Sequence, residues 1–568
     1  MKQFKILTGP FKGIYSATAP YLVPNGMLPY SENFRYHQGV MESIAEFTYH
    51  SDLLSGTSTI TDPVLYMKNI LRRDGTNIGV LITTKAVYSG ALDNWVKISG
   101  SSTWGNAGPI TEVSVAHLIT PTDEKILIVN NSDPGIFWWD GYGATLLHQD
   151  VTPTTIGPPA SGIYYDKIRF LLPFKNRLLF ANMTQAASGN RSSNVVGYSG
   201  SFGPFDFEFI DGAGDNVLSD TFGPITSINR IGDYVAVFQP RSITLVQYVA
   251  GTFIFLWKTE NSNVGCISAA GVQALPGGNV LAFPARDGVY IFNGQTTKKI
   301  SNQIDDIYAS RVNFDDTLTE ATNISSVLMQ NKNEYWIIFD NEFVLAWNYL
   351  EDTWAPYLLH DSNGDSLNLT AFAQGYNLYG GMKIDDLVGK IDDLVGKIDD
   401  FAGSVAKAAP IATGGGKVYL TEMTVVETGK IVWPVFRSPY PTTITRIVFE
   451  ASVASDTTIL ASLSSDGGKT FLNSKEITIK APEDVPQVAT FGIAPVSSKA
   501  YWNIITTGLA FQLVITVKGQ PPIKFYSVIF EVTQASDKEE EEKTPDEGET
   551  LTDTTSFFGT GGSGIWDS

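Results

Sequence analysis

The sequence predicts an all-β protein: a seven-bladed β-propeller with a helical heptad insert in one blade hairpin, followed by a C-terminal β-sandwich. Three observations predict it. The composition leans to strand and turn, with 12% aromatic residues, 52 glycines and 43% hydrophobic content. A strand–turn–strand pattern recurs at nearly constant spacing. One segment, KIDDLVGKIDDLVGKIDDFAG, breaks that texture with a seven-residue repeat between glycine-rich flanks.

The recurring unit is a hydrophobic strand, a short polar turn and an aromatic-rich strand. It reads NIGVLITTKAVYSGALDNW, EKILIVNNSDPGIFWWDGYG, NRLLFANM through SNVVGYSG, DYVAVFQPRSITLVQY, GGNVLAFPARDGVYIFNGQ and NEYWIIFDNEFVLAWNYLEDTW. Anchored on the start of the second strand, the copies fall at Val87, Ile136, Val195, Ile243, Val289 and Val344, with steps of 49, 59, 48, 46 and 55 residues. Steps of roughly 45 to 50 residues suit a four-stranded propeller blade, and the alternation within each copy suits strands with one buried face. A seventh copy is split between NLTAFAQGYNLYGG and GGGKVYLTEM, with Val418 at its anchor, so the heptads take the place of a hairpin turn.

The predicted organisation is therefore a lead-in segment at 1–63, a propeller at 64–430 with the helical insert at 381–413, a sandwich at 431–534, and an acidic tail at 535–568. The sandwich strands are read in TITRIVFEASV, TTILASLSSDGGKTF, QVATFGI, YWNIITTGLAFQLVITVKG and IKFYSVIFEVT. The stretch from Ser536 to Asp553 holds nine acidic residues and two lysines, too charged to fold alone. Beyond it, Phe557, Phe558, Ile565 and Trp566 are candidate docking points on a tether.

Net charge is −20, from 39 basic and 59 acidic residues, which argues against gripping nucleic acid through phosphate neutralisation. Cys266 is the only cysteine, so no intrachain disulfide forms, and the chain suits a reducing compartment during assembly. The N-terminal MKQFKILTGPFKG lacks the hydrophobic stretch of a secretory signal. No run of about 18 apolar residues predicts a transmembrane helix.

Catalytic patterns are missing. The five histidines, at 37, 50, 117, 148 and 360, are spread too widely for an H-E-x-x-H site. Gly467 to Thr470 looks like part of a phosphate loop, but Leu463 stands where its first glycine is needed. The Gly197-Tyr198-Ser199-Gly200 stretch continues with Ser201, so no nucleophile elbow forms. The turn Asp211 to Asp215 reads as a glycine-rich turn rather than a cation site. Ser464, Asp466, Gly468, Thr470 and Phe471 resemble the Asp-box, a hairpin element of sialidases and other β proteins that lies remote from catalysis. The chain reads as non-enzymatic, with no cofactor or metal.

The run GPFKGIYSATAPYLVPNGMLPYSENFRYHQGVMESI, the HLITPTDEKILIVNNSDPGIFWWDG stretch, PFKNRLLFANM through GYSGSFGPFDFEFIDGAGDNVLSDTFGPITSI, and PGGNVLAFPARDGVYIFNGQTTKKISNQI carry a resemblance. Together, over roughly Gly9 to Gly380 and more loosely the sandwich, they resemble the β-propeller tail hub, or nozzle, proteins of short-tailed bacteriophages, which include packaged-DNA stabilization proteins. The resemblance implies a structural virion protein of the viral tail, assembled in the host cytoplasm as a homo-hexamer below the portal and adaptor. Its implied partners are itself, the portal-adaptor and other tail proteins such as fibres or spikes, and double-stranded DNA that passes without sequence-specific contact during DNA ejection. The heptads and the acidic tail depart from that family. A receptor- or glycan-binding propeller is the alternative, because Trp95, Trp138, Trp139 and Trp354 at blade tips would stack on sugars.

With Ile384 at position a, Ile384, Ile391 and Ile398 fall at a, and Leu387, Leu394 and Phe401 at d. Gly389, Gly396 and Gly403 fall at f, where a missing side chain harms packing least. Each interior glycine costs about 1 kcal/mol relative to alanine, so a lone helix of this kind is marginal and its apolar stripe needs a partner. Those six a and d residues are the candidate channel gate, formed if copies gather round a central axis; otherwise the insert packs on its own propeller or stays mobile.

Overall fold

The computed structural model describes residues 2–534, apart from short loops and the longer stretches 142–147, 151–164, 202–211, 314–319, 373–410 and 482–496. The chain divides into two compact units. One comprises Glu32–Phe34 and Ser43–Glu427; the other comprises Met1–Ser31, Arg35–Glu42 and Thr428–Ser568. The expected lead-in, 1–63, is thus shared between the two.

In the larger unit, six four-stranded sheets follow one another, each made of consecutive strands. The first holds Val64–Leu71, Asn77–Thr83, Val87–Ala91 and Asn94–Lys97. The second holds Ser114–Ile119, Glu124–Val129, Ile136–Trp139 and His148–Asp150. The third runs from Tyr165–Phe174 through Arg177–Gln185 and Arg191–Tyr198 to Gly214–Val217, and the fourth from Ser227–Ile231 to Phe255–Asn261. The fifth begins with Gln273–Ala274, and the sixth, Ile324–Met329 to Thr353–Leu358, completes the series. This is a propeller arrangement. All six sequence anchors, Val87 to Val344, sit on the third strand of their sheet.

Packing explains why the sheets follow one another face to face. Ile126, Ile128 and Phe137 of the second sheet are buried with Val80 and Ile82 of the first. The other side of the second sheet gives Leu127, Val129 and Ile136 to a core shared with Leu178, Phe180 and Val195 of the third. The pattern repeats between the third and fourth sheets and between the fourth and fifth. Each sheet therefore buries both faces, and runs such as EYWIIF and FVLAWN are buried throughout rather than alternating.

A seventh four-stranded sheet joins Leu369–Phe372, Ile411–Thr413 and Lys417–Val426 with Ala45–Asp52 from near the start of the chain. Its first strand neighbours the first strand of the first sheet. Leu53 and Ile60, just after Ala45–Asp52, are buried with Val64, Leu81 and Trp95 of the first sheet. Leu369 and Phe372 pair with Thr413 and Ile411, so the segment carrying the heptads connects the first two strands of this sheet.

The smaller unit is a ten-stranded sheet network. Two long strands dominate it: Phe436–Val453 and Ser498–Val517. The second pairs with the first over its opening two-thirds, then with Gly429–Val432 and Thr457–Ser464 over its last residues. Lys2–Thr8 enters as an extra strand against Ile523–Gln534, with Lys2 opposite Gln534. Trp433 is fully buried beside Phe11, ring centroids 6.4 Å apart. Among the described residues one α-helix occurs, Asp305–Arg311, and no helix is long and apolar enough to cross a membrane.

Candidate functional site

The propeller axis carries a charged cluster. The first strands of the second to sixth sheets neighbour one another in order, which places them round the axis. Arg169 lies on the first strand of the third sheet, Glu112 just before that of the second, and Glu320 just before that of the sixth. Arg169 Nε and Nη2 donate to Glu112 at 2.5 and 3.0 Å, while Nη1 and Nη2 donate to Glu320 at 2.9 and 2.7 Å. The third and sixth sheets are not sequential neighbours, so this contact bridges the axis.

Both carboxylates meet the guanidinium in the two-pronged geometry that makes such pairs strong. Arg169 and Glu320 are 9% and 13% exposed at the side chain, whereas Glu112 is 38% exposed and more screened. Burial works against the charged form of Arg169, but the hydrogen bonds and charge of Glu320, with Glu112, outweigh it and raise its pKa. Arg191 donates from Nε to Asn182 Oδ1 at 2.7 Å; burial, and then the nearby charge of Arg169, lower its pKa. Asn182 in turn donates to Ile225 O at 2.7 Å, tying the third sheet to the approach to the fourth. Chemically, the cluster is an ion triad, one guanidinium between two carboxylates, that joins non-adjacent sheets.

The Asp-box residues form the hairpin the sequence predicts. Thr457–Ser464 pairs with Asn473–Ile479, and the motif makes the turn between them. Ser464 Oγ donates to Asp466 Oδ1 at 2.6 Å and accepts from the Gly468 amide at 2.8 Å. Thr470 donates to Asp466 through both its amide, at 2.9 Å, and its hydroxyl, at 2.6 Å. Gly468 has φ +92°, and a Cβ there would lie 2.0 Å from Gln512 Oε1, so glycine is required. A cavity of 390 Å³ beside the hairpin is lined by Lys430, Val432, Ser462, Phe471, Gln512 and Val514.

Hydrogen bonds from Ser464, then Thr470 and the backbone, hold the Asp466 carboxyl well below the usual carboxylate range. A depressed folded-state pKa gives stability that is complete above the unfolded value near ~3.9 and is lost as pH falls through the folded value. Asp466→Ala is therefore expected to lower the unfolding temperature of the smaller unit at neutral pH. The gap from the parent protein should narrow as pH drops below about 4. Calorimetry at several pH values checks this; a gap independent of pH would show that the charge of Asp466 is not what stabilises the turn.

The candidate gate residues Ile384, Leu387, Ile391, Leu394, Ile398 and Phe401 lie outside the described residues. So do the docking-tail residues Phe557, Phe558, Ile565 and Trp566. Of the four tryptophans considered for sugar stacking, Trp95, Trp139 and Trp354 are fully buried. Trp138 is partly buried, with the Lys125 ammonium 4.7 Å from its ring centroid. Three of the four are thus core residues rather than an exposed platform.

Sequence reasoning did not find the axial cluster. Its one local signal was Arg169 inside the apolar strand YDKIRFLLPF; Glu320, 151 residues away, gave none. Among the described residues no group of three or more His, Cys, Asp and Glu is placed to hold a metal ion.

No family model matches the chain, and no curated protein matches it in sequence. Among solved structures it is similar to the extracellular domain of the one-component system BT4673 from B. thetaiotaomicron, at 10% identity and TM-score 0.38. That match covers 77% of this chain and 46% of the other, so the chain spans about half of that structure's length. It is also similar to the β-propeller domain of Cps50 (Swd1) from Myceliophteria thermophila, at 10% identity and TM-score 0.32, covering 64% of this chain and 99% of that one. A third is the exo-β-1,3-galactanase from Phanerochaete chrysosporium with galactose, at 8% identity and TM-score 0.25, covering 76% and 99%. At these TM-scores the matches carry no functional argument, and the fold rests on the strand order.

Proposed function

We propose that the chain is a structural virion protein of a short-tailed bacteriophage, a subunit of a homo-hexameric tail hub or nozzle through which the genome leaves the particle. The observation that carries this reading is the resemblance of the stretches between Gly9 and Gly380 to tail hub proteins. In this reading the seventh sheet, completed by Ala45–Asp52, is the seventh blade, and the smaller unit is a β-sandwich. The chain has no catalytic role. It is assembled in the host cytoplasm, and its neighbours in the tail are the portal-adaptor and the fibres or spikes.

Two physical points support the reading. The Glu112–Arg169–Glu320 cluster lies on the propeller's own axis, so in this reading the lumen for duplex DNA lies between copies. Six copies at −20 each carry a formal charge on the order of −120, which repels phosphates from the lumen wall and lets DNA slide without capture. Repulsion alone does not retain a genome. The insert at 381–413 is the proposed gate, its apolar positions meeting those of neighbouring copies on the ring axis.

Joining Gly381 directly to Gly414 tests the gate. Particles carrying that deletion are expected to assemble and then lose their DNA, measured as the ratio of filled to empty particles. Unchanged DNA retention would leave the insert as a passive segment.

A further inference from the structure

Among the described residues the strand Ser498–Val517 has an open edge. No charged residue stands between Lys499 and Lys518, an unusually long run for a strand at the border of a sheet. On one side it pairs with Phe436–Val453 from Ser498 to Phe511. On the other it pairs with Thr457–Ser464 only through Gln512 to Val517. The Asp-box turn covers the next part, where the Gly467 amide donates to Ala510 O at 3.0 Å. From Lys499 to Thr507 the second edge meets none of the described strands. Tyr501 and Leu509 are 54% exposed and Ile505 86%. By contrast, the outer strand Asn473–Ile479 shows exposed Lys475 and Glu476, charges that discourage added strands.

The chain leaves this same sheet near the open edge. Gln534 lies opposite Thr442, and Thr442 lies opposite Gly508. The tail therefore starts two strand spacings, about 10 Å, from Gly508. Residues 535–553 are rich in acid, and a fully extended chain of that length would reach about 60 Å. They lead into TTSFFGT at 554–560, an uncharged stretch of β-branched and aromatic residues.

We propose that residues 554–560 add to their own chain as an extra strand along the open edge Lys499–Thr507, with one ring of the Phe557–Phe558 pair beside Ile505 on the exposed face and the other on the opposite face. This gives the candidate docking tail its surface and does not depend on the hub reading. The edge supplies main-chain hydrogen bonds, and the alternation of Tyr501, Asn503, Ile505, Thr507 and Leu509 supplies the side-chain contacts. The tether's charge keeps the segment soluble until it docks.

Hydrogen–deuterium exchange on the full chain, on a chain ending at Gln534, and on full-length F557D/F558D tests this. In both altered proteins, peptides covering Lys499–Thr507 are expected to exchange about tenfold faster, with Thr457–Ser464 unchanged. Equal protection in all three overturns the proposal and assigns the edge to another cover, such as 482–496 or a second copy. A full chain carrying Ile505→Cys and Phe558→Cys, with Cys266→Ser, should close a disulfide within one chain. Crosslinking only between chains would overturn docking within the molecule.

Discussion

Arg169→Ala is expected to destabilise the propeller by about 3–5 kcal/mol, towards the lower end of that range. Removing the guanidinium leaves Glu320, 13% exposed, as an uncompensated charge on the axis. It also cuts the bridge between non-adjacent sheets. Two features soften the loss: Glu112 is 38% exposed and can rehydrate, and the charge of Arg191 remains close by. The cost lies in the orphaned carboxylate rather than in a large net worth of the ion triad. The triple variant Glu112→Gln, Arg169→Met and Glu320→Leu, which leaves no buried carboxylate without its partner, should therefore recover most of the lost stability. Denaturant unfolding of the three proteins, with exchange measured on the first strands of the second, third and sixth sheets, checks both expectations. An Arg169→Ala protein within about 1 kcal/mol of the parent would show that the cluster does not hold the axis.

Trp354→Ala should cost about 3–5 kcal/mol, the loss of a large core aromatic. The ring is fully buried on the outer strand of the sixth sheet, stacked on Trp347 at 6.3 Å between centroids. Its Nε1 donates to Ile300 O at 2.9 Å, so truncation also strands a buried carbonyl. The same substitution separates the two functional classes. A core residue predicts a fall in stability with no selective loss of carbohydrate binding, whereas a sugar platform predicts the reverse. Thermal unfolding beside a glycan array on Trp354→Ala and Trp138→Ala resolves it. Selective loss of glycan binding with an unchanged unfolding temperature would restore the receptor-binding reading.

The blade spacing was legible because each hairpin is local. The turn residues and apolar runs that set Val87, Ile136, Val195, Ile243, Val289 and Val344 on third strands all sit within about 20 residues of each anchor. Pairings between distant segments were not legible. Ala45–Asp52 was placed in the lead-in because its strand pattern says nothing of a partner at Lys417–Val426, more than 360 residues on. Lys2–Thr8 was missed as a partner of Ile523–Gln534 for the same reason. The tryptophans show a different limit: composition marks Trp95, Trp139 and Trp354 as aromatic but does not say which face of a blade they enter. The Asp-box was read correctly as a hairpin because its side-chain bonds to the backbone fall within five residues.

The hub reading is tested most directly by the mass and shape of the purified full chain, measured by native mass spectrometry and negative-stain microscopy. A closed ring of six copies round an open lumen is the expected result. A monomer or trimer under assembly conditions, above all one that binds glycans, would contradict it.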